Sequence, residues 1–239
     1  MNTEYFRHWS YNMAYILGFI VADGCVVSNG SYRLIVVSKD VDVLEFIKEE
    51  MDHPYEVAAS KDGTHRITIC RKDVVMDLMA HGILPRKTWN PVVPDVPEDY
   101  RISFLHGLFD GDGSVWMTRP SGKDRTANLT TAFYSYSKDF LQVVGTMIRD
   151  EVGAIPRIYQ GNRSWRLLYA RKASIAIYHM LYDDPLHDFH FQRKRDVYVE
   201  WLTEHKKDAR WGLRACRECG VEFVALHDNS ARCWNCRRN

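Results

Sequence analysis

Two stretches of the chain share one grammar of apolar, small and acidic positions. The first is Ile16-Leu17-Gly18-Phe19-Ile20-Val21-Ala22-Asp23-Gly24, and the second is Leu105-His106-Gly107-Leu108-Phe109-Asp110-Gly111-Asp112-Gly113. Both read apolar, any, Gly, apolar, apolar, any, small, Asp, Gly, with the acids 89 residues apart. The apolar run Ala14 to Ala22 is too short to span a membrane and suits a buried helix. Gly18 and Ala22, like Gly107 and Gly111, are four apart, so each helix carries a stripe of small residues on one face. Each such glycine costs roughly 1 kcal/mol of helix propensity, which is tolerable where two backbones must approach closely. Gly24 and Gly113 suit the left-handed position that ends a helix. A carboxylate just before each stop sits at the negative end of the helix dipole, where it is locally unfavourable. Breaking that rule in both copies points to function, and one acid per copy suggests two half-sites meeting at one centre.

The flanks repeat as well. Ser38-Lys39-Asp40 is echoed by Ser137-Lys138-Asp139, and Arg66 with Arg71-Lys72 by Arg166 with Arg171-Lys172. Segments rich in β-branched and aromatic residues predict strands over 31–38, 56–59 and 66–70, and over 129–137, 155–160 and 165–170. Helical periodicity predicts helices over 41–51, 74–81, 140–151 and 174–181. Each repeat is then helix, two strands, helix, two strands, helix. Between them Pro85, Pro91, Pro94 and Pro97 exclude helix and central strand. The expected organisation is a half-domain over 1–84, a linker over 85–101, a second half-domain over 102–184, a helical extension over 185–210 and a tail over 211–239.

Charge adds little as a total and more as a distribution. The net charge is +1, from 32 basic and 31 acidic residues. From Ser114 to Lys172, however, ten Lys/Arg face four Asp/Glu. In the first repeat Asp40, Asp42, Glu45, Glu49, Glu50 and Asp52 crowd one helix, while the strands keep Arg33, Lys39, Lys61, Arg66, Arg71 and Lys72. A basic sheet backed by acidic helices suits duplex DNA, with cations on phosphates; ordinary solvated faces are the plainer alternative. Nearly half the residues are hydrophobic, as in a folded globular chain. Asp23 interrupts the N-terminal apolar run and no basic leader precedes it, so a soluble intracellular protein is expected.

The tail carries Cys216-x-x-Cys219 and Cys233-x-x-Cys236, a spacing that reads as a closed, structural zinc site. Disulfides are the competing reading. Arg214, Arg217, Arg232, Arg237 and Arg238, with Trp234, fit DNA backbone contact, and a simple stabilising clip fits nearly as well. Cys25 and Cys70 are expected to be packing residues, and His187 and His190 core or surface histidines. Asp110 lies two positions before Asp112, nearly opposite on a helix, and has Val21 as its counterpart, so it falls outside the shared chemistry.

The paired motifs resemble the LAGLIDADG homing endonucleases in their single-chain, two-motif form, over about residues 11 to 184. Lys87-Thr88 resembles a recurrent feature of that family's linkers. The resemblance implies an α/β fold of two pseudo-symmetric αββαββα half-domains with a central helix pair and curved antiparallel DNA-binding sheets. It implies a monomer that cuts both strands of duplex DNA with magnesium. Asp23 and Asp112 would hold the ions, together with the backbone carbonyls of Gly24 and Gly113. Lys39 and Lys138, on the second strand of each half, and Arg71 and Arg171, ending the fourth, would position water and stabilise the transition state. Many family members carry a polar side chain where Ser38 and Ser137 stand. Arg33, Arg66, Lys72, Arg166 and Lys172 would contact DNA. A non-catalytic DNA-binding regulator and an RNA maturase use the same scaffold, although such proteins often lose one acid and this chain has both. An intein is not expected, because no splicing segment with a nucleophilic first residue is recognised in the sequence.

Overall fold

The first apolar run folds as α1 (Tyr11–Asp23), opened by Ser10, whose Oγ accepts from the Met13 amide at 3.0 Å. Met13 to Val21 are all buried, as expected for a helix that is apolar all round. The computed structural model in which this is seen describes residues 1–85, 91–119, 128–183, 185–205, 213–224, 231–233 and 236. Lys87-Thr88 in the linker and Trp234, Arg237 and Arg238 in the tail lie outside them. Among the described residues no helix is long and apolar enough to cross a membrane.

The order continues β1 (Gly24–Val27), β2 (Arg33–Ser38), α2 (Val41–Glu50), β3 (Ala58–Ala59), β4 (His65–Ile69) and α3 (Lys72–Ala80). The second repeat follows with α4 (Arg101–Asp112), β5 (Gly113–Thr118), β6 (Asn128–Ser135), α5 (Lys138–Val152), β7 (Arg157–Gln160), β8 (Trp165–Ala170) and α6 (Lys172–Tyr182). Then come α7 (Gln192–His205) and a hairpin of β9 (Leu213–Ala215) with β10 (Glu222–Val224). Each half is the expected αββαββα. Its first strands, β1 and β5, lack a period-2 signal that separates them from the preceding helix. Where 56–59 reads as a strand, only Ala58–Ala59 pair.

By packing, the chain forms two units. One comprises Met1–Asp112, Ser135–Phe140 and Pro185–Phe191; the other comprises Gly113–Tyr134, Leu141–Asp184 and Gln192–Asn239. In the first unit the antiparallel sheet runs β1-β2-β4-β3. Leu34, Val36, Ile67 and Ile69 point into the core, while Arg33, Val37 and Arg66 are exposed on the other face. In the second unit the sheet runs β5-β6-β8-β7. Leu129, Thr131, Leu167 and Tyr169 are buried, and the Thr131 hydroxyl meets Ser174 of α6 and Tyr198 of α7. Trp116, Arg166 and Tyr159 are exposed on the opposite face. Cys25 and Cys70 are exposed in the first sheet, not packed in its core, because the strand alternation turns them outward.

The first unit also contains the α1–α4 pair, where backbone meets backbone. A Cβ on Gly18 would collide with the Phe104 carbonyl oxygen and stand 2.9 Å from the Leu108 nitrogen. One on Gly107 would collide with the Tyr15 carbonyl oxygen and stand 2.9 Å from the Phe19 nitrogen. Only glycine permits that approach. Gly24 and Gly113, by contrast, are not left-handed caps. Gly24 has φ −77° and ψ 149°, Gly113 is not among the glycines with positive φ, and each begins a strand. The chain leaves each helix directly into a sheet, so no reversing cap forms. At Gly24 the missing side chain is needed for space, since a Cβ would lie 2.7 Å from the Ile20 carbonyl oxygen.

Gly107→Ala is expected to cost about 3 kcal/mol or more, because the obstructing atoms are backbone. Gly63→Ala, at φ +78° with open space around it, should cost only about 1 kcal/mol. Chemical denaturation of both variants checks this, and equal losses would contradict the close approach.

Candidate active site and metal centre

Asp23 and Asp112 are the last residues of α1 and α4, and both are exposed. A Cβ placed on Gly111 would overlap the Ala22 Cβ and lie 3.5 Å from Asp23 Oδ2. Close packing of the small residues therefore sets the Asp23 carboxylate against the last turn of α4, which carries Asp112. Gly24 and Gly113, the next residues, are buried at the starts of β1 and β5. The Gly113 carbonyl accepts a 2.7 Å hydrogen bond from Lys194 Nζ, whose residue is 5% exposed. Lys194 is a residue that sequence reasoning missed. The signal was present: Lys194, Tyr198 and Trp201, spaced i, i+4, i+7, form the buried stripe of α7.

The register corrects one pairing of the repeats. Gly24 pairs with Val36 and Gly113 with Phe133, which makes Ser38 equivalent to Ser135. The hydrogen bonds agree: Ser38 Oγ accepts from the Asp40 amide at 3.0 Å, and Ser135 Oγ accepts from the Ser137 amide at 3.2 Å. Asp40 and Ser137 then both precede a helix, and Ser137 Oγ accepts from the Phe140 amide. The structural counterpart of Lys39 is thus Tyr136, with Lys138 two residues further on as the first residue of α5. The matching Ser-Lys-Asp triplets are out of register by two residues. Lys39 and Lys138 are exposed and lie beyond β2 and β6 rather than on them.

Arg71 and Arg171 directly precede α3 and α6. Arg71 is exposed and its Nη2 lies 3.2 Å from Asp73 Oδ2. Arg171 is exposed with φ 56° and ψ −124°, a strained conformation for a side-chain-bearing residue, held by its amide donating to the Leu129 carbonyl at 2.8 Å. Lys72 Nζ lies 5.4 Å from the centre of the Tyr32 ring, and Lys172 begins α6 half-buried. Arg33, Arg66 and Arg166 are exposed on open sheet faces, Arg33 and Arg66 in the first unit and Arg166 in the second.

Beneath the helix pair lies a polar network that the motif did not announce. His187 Nε2 is 2.8 Å from His106 Nδ1, and His187 Nδ1 is 3.0 Å from Ser103 Oγ. Asp110 Oδ2 accepts from Tyr15 OH at 2.7 Å and from the Phe191 amide at 2.9 Å. Asp110 thus ties 185–191 to both helices, consistent with its exclusion from the repeated chemistry. Burial, with His106 beside it, pulls His187 down to about 3.

In the second unit the sulfurs of Cys216, Cys219, Cys233 and Cys236 lie within 4.8 Å of one another, with Cys219 and Cys233 at 3.6 Å. Four thiolates around zinc at about 2.3 Å would stand about 3.8 Å apart, so the set fits a tetrahedral ion. It does not fit a disulfide, which requires about 2 Å. The turn is built by Gly220 at φ 75°, with its amide on the Cys216 carbonyl at 2.9 Å. The Cys233 amide on Cys216 Sγ draws that thiol down to about 6, and hydrogen bonding to Cys219 pushes Cys236 up. Arg214, Arg217 and Arg232 are exposed, the last 3.5 Å from Glu218.

Residues 99–181 match the LAGLIDADG-like domain family. No curated protein matches the chain. Among solved structures, the LAGLIDADG homing endonuclease I-LtrWI bound to its target DNA is similar at 12% identity and TM-score 0.60, covering 88% of this chain and 93% of that one. The LAGLIDADG meganuclease I-AabMI bound to uncleaved DNA is similar at 10% identity and TM-score 0.62, over 83% and 92%. I-SmaMI, bound to an uncleaved DNA target in the presence of calcium ions, is similar at 11% identity and TM-score 0.57, over 83% and 93%. At these identities the likeness establishes the fold.

His187 makes the stability of the fold depend on pH. Its folded-state value lies below the unfolded value of about 6.5, so the unfolded chain binds the extra proton first. Its contribution to stability is whole above about pH 6.5 and is lost as pH falls towards 3, at up to about 1.4 kcal/mol per pH unit. Denaturation between pH 7 and 4 should show His187→Gln with a shallower acid loss than the parent. Parallel curves would remove His187 from the acid response.

Proposed function

We propose that this chain, a LAGLIDADG-fold protein with a LAGLIDADG-like domain at residues 99–181, is a site-specific endonuclease that cuts both strands of duplex DNA. The observation that carries the reading is the placing of Asp23 Oδ2 against the last turn of α4, where Asp112 stands. Two exposed carboxylates at the ends of a rigid helix pair are hard oxygen donors of the kind that magnesium takes. Asp23 and Asp112 would hold the ions, with the Gly24 and Gly113 carbonyls as further oxygens. Bound there, the metal supplies charge neutralisation at the phosphate and acidifies water. Lys194 Nζ donates to the Gly113 carbonyl and fixes the peptide that follows Asp112.

Lys39, with Tyr136 at the equivalent position and Lys138 beyond it, would orient water. Arg71 and Arg171 would meet developing phosphate charge, and the strain at Arg171 is consistent with a functional requirement. Arg33, Arg66, Lys72, Arg166 and Lys172 would contact the duplex from the sheets and the first turns of α3 and α6. The four-cysteine cluster would take one structural zinc ion, with Arg214, Arg217 and Arg232 available to phosphate.

Asp23→Asn and Asp112→Asn should each abolish double-strand cleavage of a selected site in magnesium while duplex binding survives. The amide keeps the shape of the carboxylate and binds a divalent cation poorly. Full cleavage by either variant would remove that residue from the metal site. Duplex binding by the parent without any cleavage would leave a DNA-binding regulator.

Elemental analysis of the purified full chain should find about one zinc per molecule. Cys233→Ser should lose it and loosen the tail, seen as faster amide exchange near β9 and β10 with α1 and α4 unaffected. A short hairpin lacks a core of its own, so its order depends on the metal. A zinc-free protein with protected β9 and β10 would contradict the assignment.

A further inference from the structure

Two buried positions are apolar in the first repeat and carry hydroxyls in the second. Strand register makes Thr131 of β6 equivalent to Leu34 of β2, and the Arg-Lys pairs that open α3 and α6 make Ser174 equivalent to Val74. All four side chains are fully buried. Leu34 and Val74 need no partner there, whereas a buried hydroxyl costs stability unless it is hydrogen-bonded. Thr131 Oγ1 meets both Ser174 Oγ and the hydroxyl of Tyr198, which comes from the buried face of α7. Lys194 Nζ, one turn earlier on that face, donates to the Gly113 carbonyl at 2.7 Å. Arg119 Nη2, just after β5, lies 2.9 Å from Glu200 Oε1 of the same helix. Directed bonds as well as packing therefore fasten α7 to β5, β6 and α6.

The hydroxyl cluster stands beside a strained residue. Ser174 lies in the first turn of α6, directly after Arg171, whose carbonyl accepts from the Ile175 amide at 3.1 Å. The Arg171 amide donates to the Leu129 carbonyl at 2.8 Å, and Leu129 is two residues from Thr131 on β6. The start of α6 is thus tied to β6 twice, once by backbone and once through Thr131. Arg171 has φ 56° and ψ −124°, whereas Arg71, before the helix that carries Val74, has φ −137° and ψ 123°. A side-chain-bearing residue keeps a backbone like that of Arg171 only where its surroundings over-determine it. A bonded hydroxyl cluster supplies direction that apolar packing does not.

We infer that Tyr198 is a positioning residue: through Thr131 and Ser174 it holds the first turn of α6, so that Arg171 keeps the strained backbone from which its guanidinium meets phosphate. This inference rests on the proposed reading of the chain as a duplex-DNA endonuclease, with Arg171 at one of two cleaved phosphates. Arg71 stands beside Leu34 and Val74 in relaxed backbone and does not depend on such a cluster. The effect is therefore confined to one strand of the duplex.

Tyr198→Phe removes one hydroxyl and keeps the ring against Tyr178 and Tyr182. A plasmid carrying a selected site, cut in magnesium with the full chain in excess, should lose one strand about tenfold more slowly and the other at the parent's rate. Nicked plasmid should then accumulate. Duplex affinity measured in calcium should stay within about twofold of the parent's, as for an interaction expressed only in the transition state. Thr131→Val, nearly isosteric, removes the hydroxyl that the other two share and should give the same one-strand loss by an independent route. Arg171→Ala should slow that same strand, and adding Tyr198→Phe to it should slow it no further, because both act through one group. Parental rates on both strands, an equal loss on both, or losses that multiply with Arg171→Ala overturn the inference and leave the endonuclease reading standing. A parent that binds duplex without cutting either strand overturns the endonuclease reading, and the inference with it.

Discussion

Contact of backbone with backbone between α1 and α4 is the constraint on which the site depends. Gly18 lies against the Phe104 carbonyl and Gly107 against the Tyr15 carbonyl, and no side chain fits between. The approach carries Asp23 to the last turn of α4, which ends at Asp112. Two carboxylates at helix C-termini gain nothing from the local dipole. Their position is held by the packing of Phe104, Leu108, Tyr15 and Phe19 around the glycines, all of them buried. The polar network of Ser103, His106, Asp110 and His187 sits in the same place. There it fixes the 185–191 segment to the helix pair, with Asn12 Nδ2 on Asp188 Oδ2 at 2.7 Å as a further tie.

The two repeats share a scaffold and differ in what they hang on it. Tyr136 stands where Lys39 stands, because the sheet register, rather than the similarity of short triplets, decides equivalence. Arg71 is paired with a neighbouring acid in relaxed backbone, and Arg171 is held at positive φ by a bond to the adjacent strand. A buried lysine from α7 holds the peptide after Asp112. A duplicated fold thus carries chemically unequal side chains at equivalent positions of its two repeats.

The four-cysteine hairpin follows different physics from the body of the chain. Its four sulfurs are gathered within 4.8 Å of one another, Cys219 and Cys233 at 3.6 Å, and a backbone amide draws the Cys216 thiol down. The body is organised by the burial of apolar side chains, whereas the described part of the hairpin gathers sulfur donors.

Much of this was legible in the sequence. The paired motifs specify two buried helices with an acid at each end, and the alternation of β-branched residues specifies most of the strands. The cysteine spacing specifies a four-sulfur cluster. These features are local: period, spacing and composition act over a few residues. The starts of β1 and β5 stayed hidden because a strand that follows a helix without a turn has no boundary signal. Cys25 and Cys70, which the sequence suggests as packing residues, are exposed, because burial depends on which face of a strand is covered, and that is set by elements distant in the chain. The same holds for Tyr136 as the partner of Lys39, for Lys194 on the Gly113 carbonyl and for Asp110 beneath Tyr15. Each depends on residues far apart in sequence, through register for the equivalence and through packing for the contacts, and no local pattern contains it.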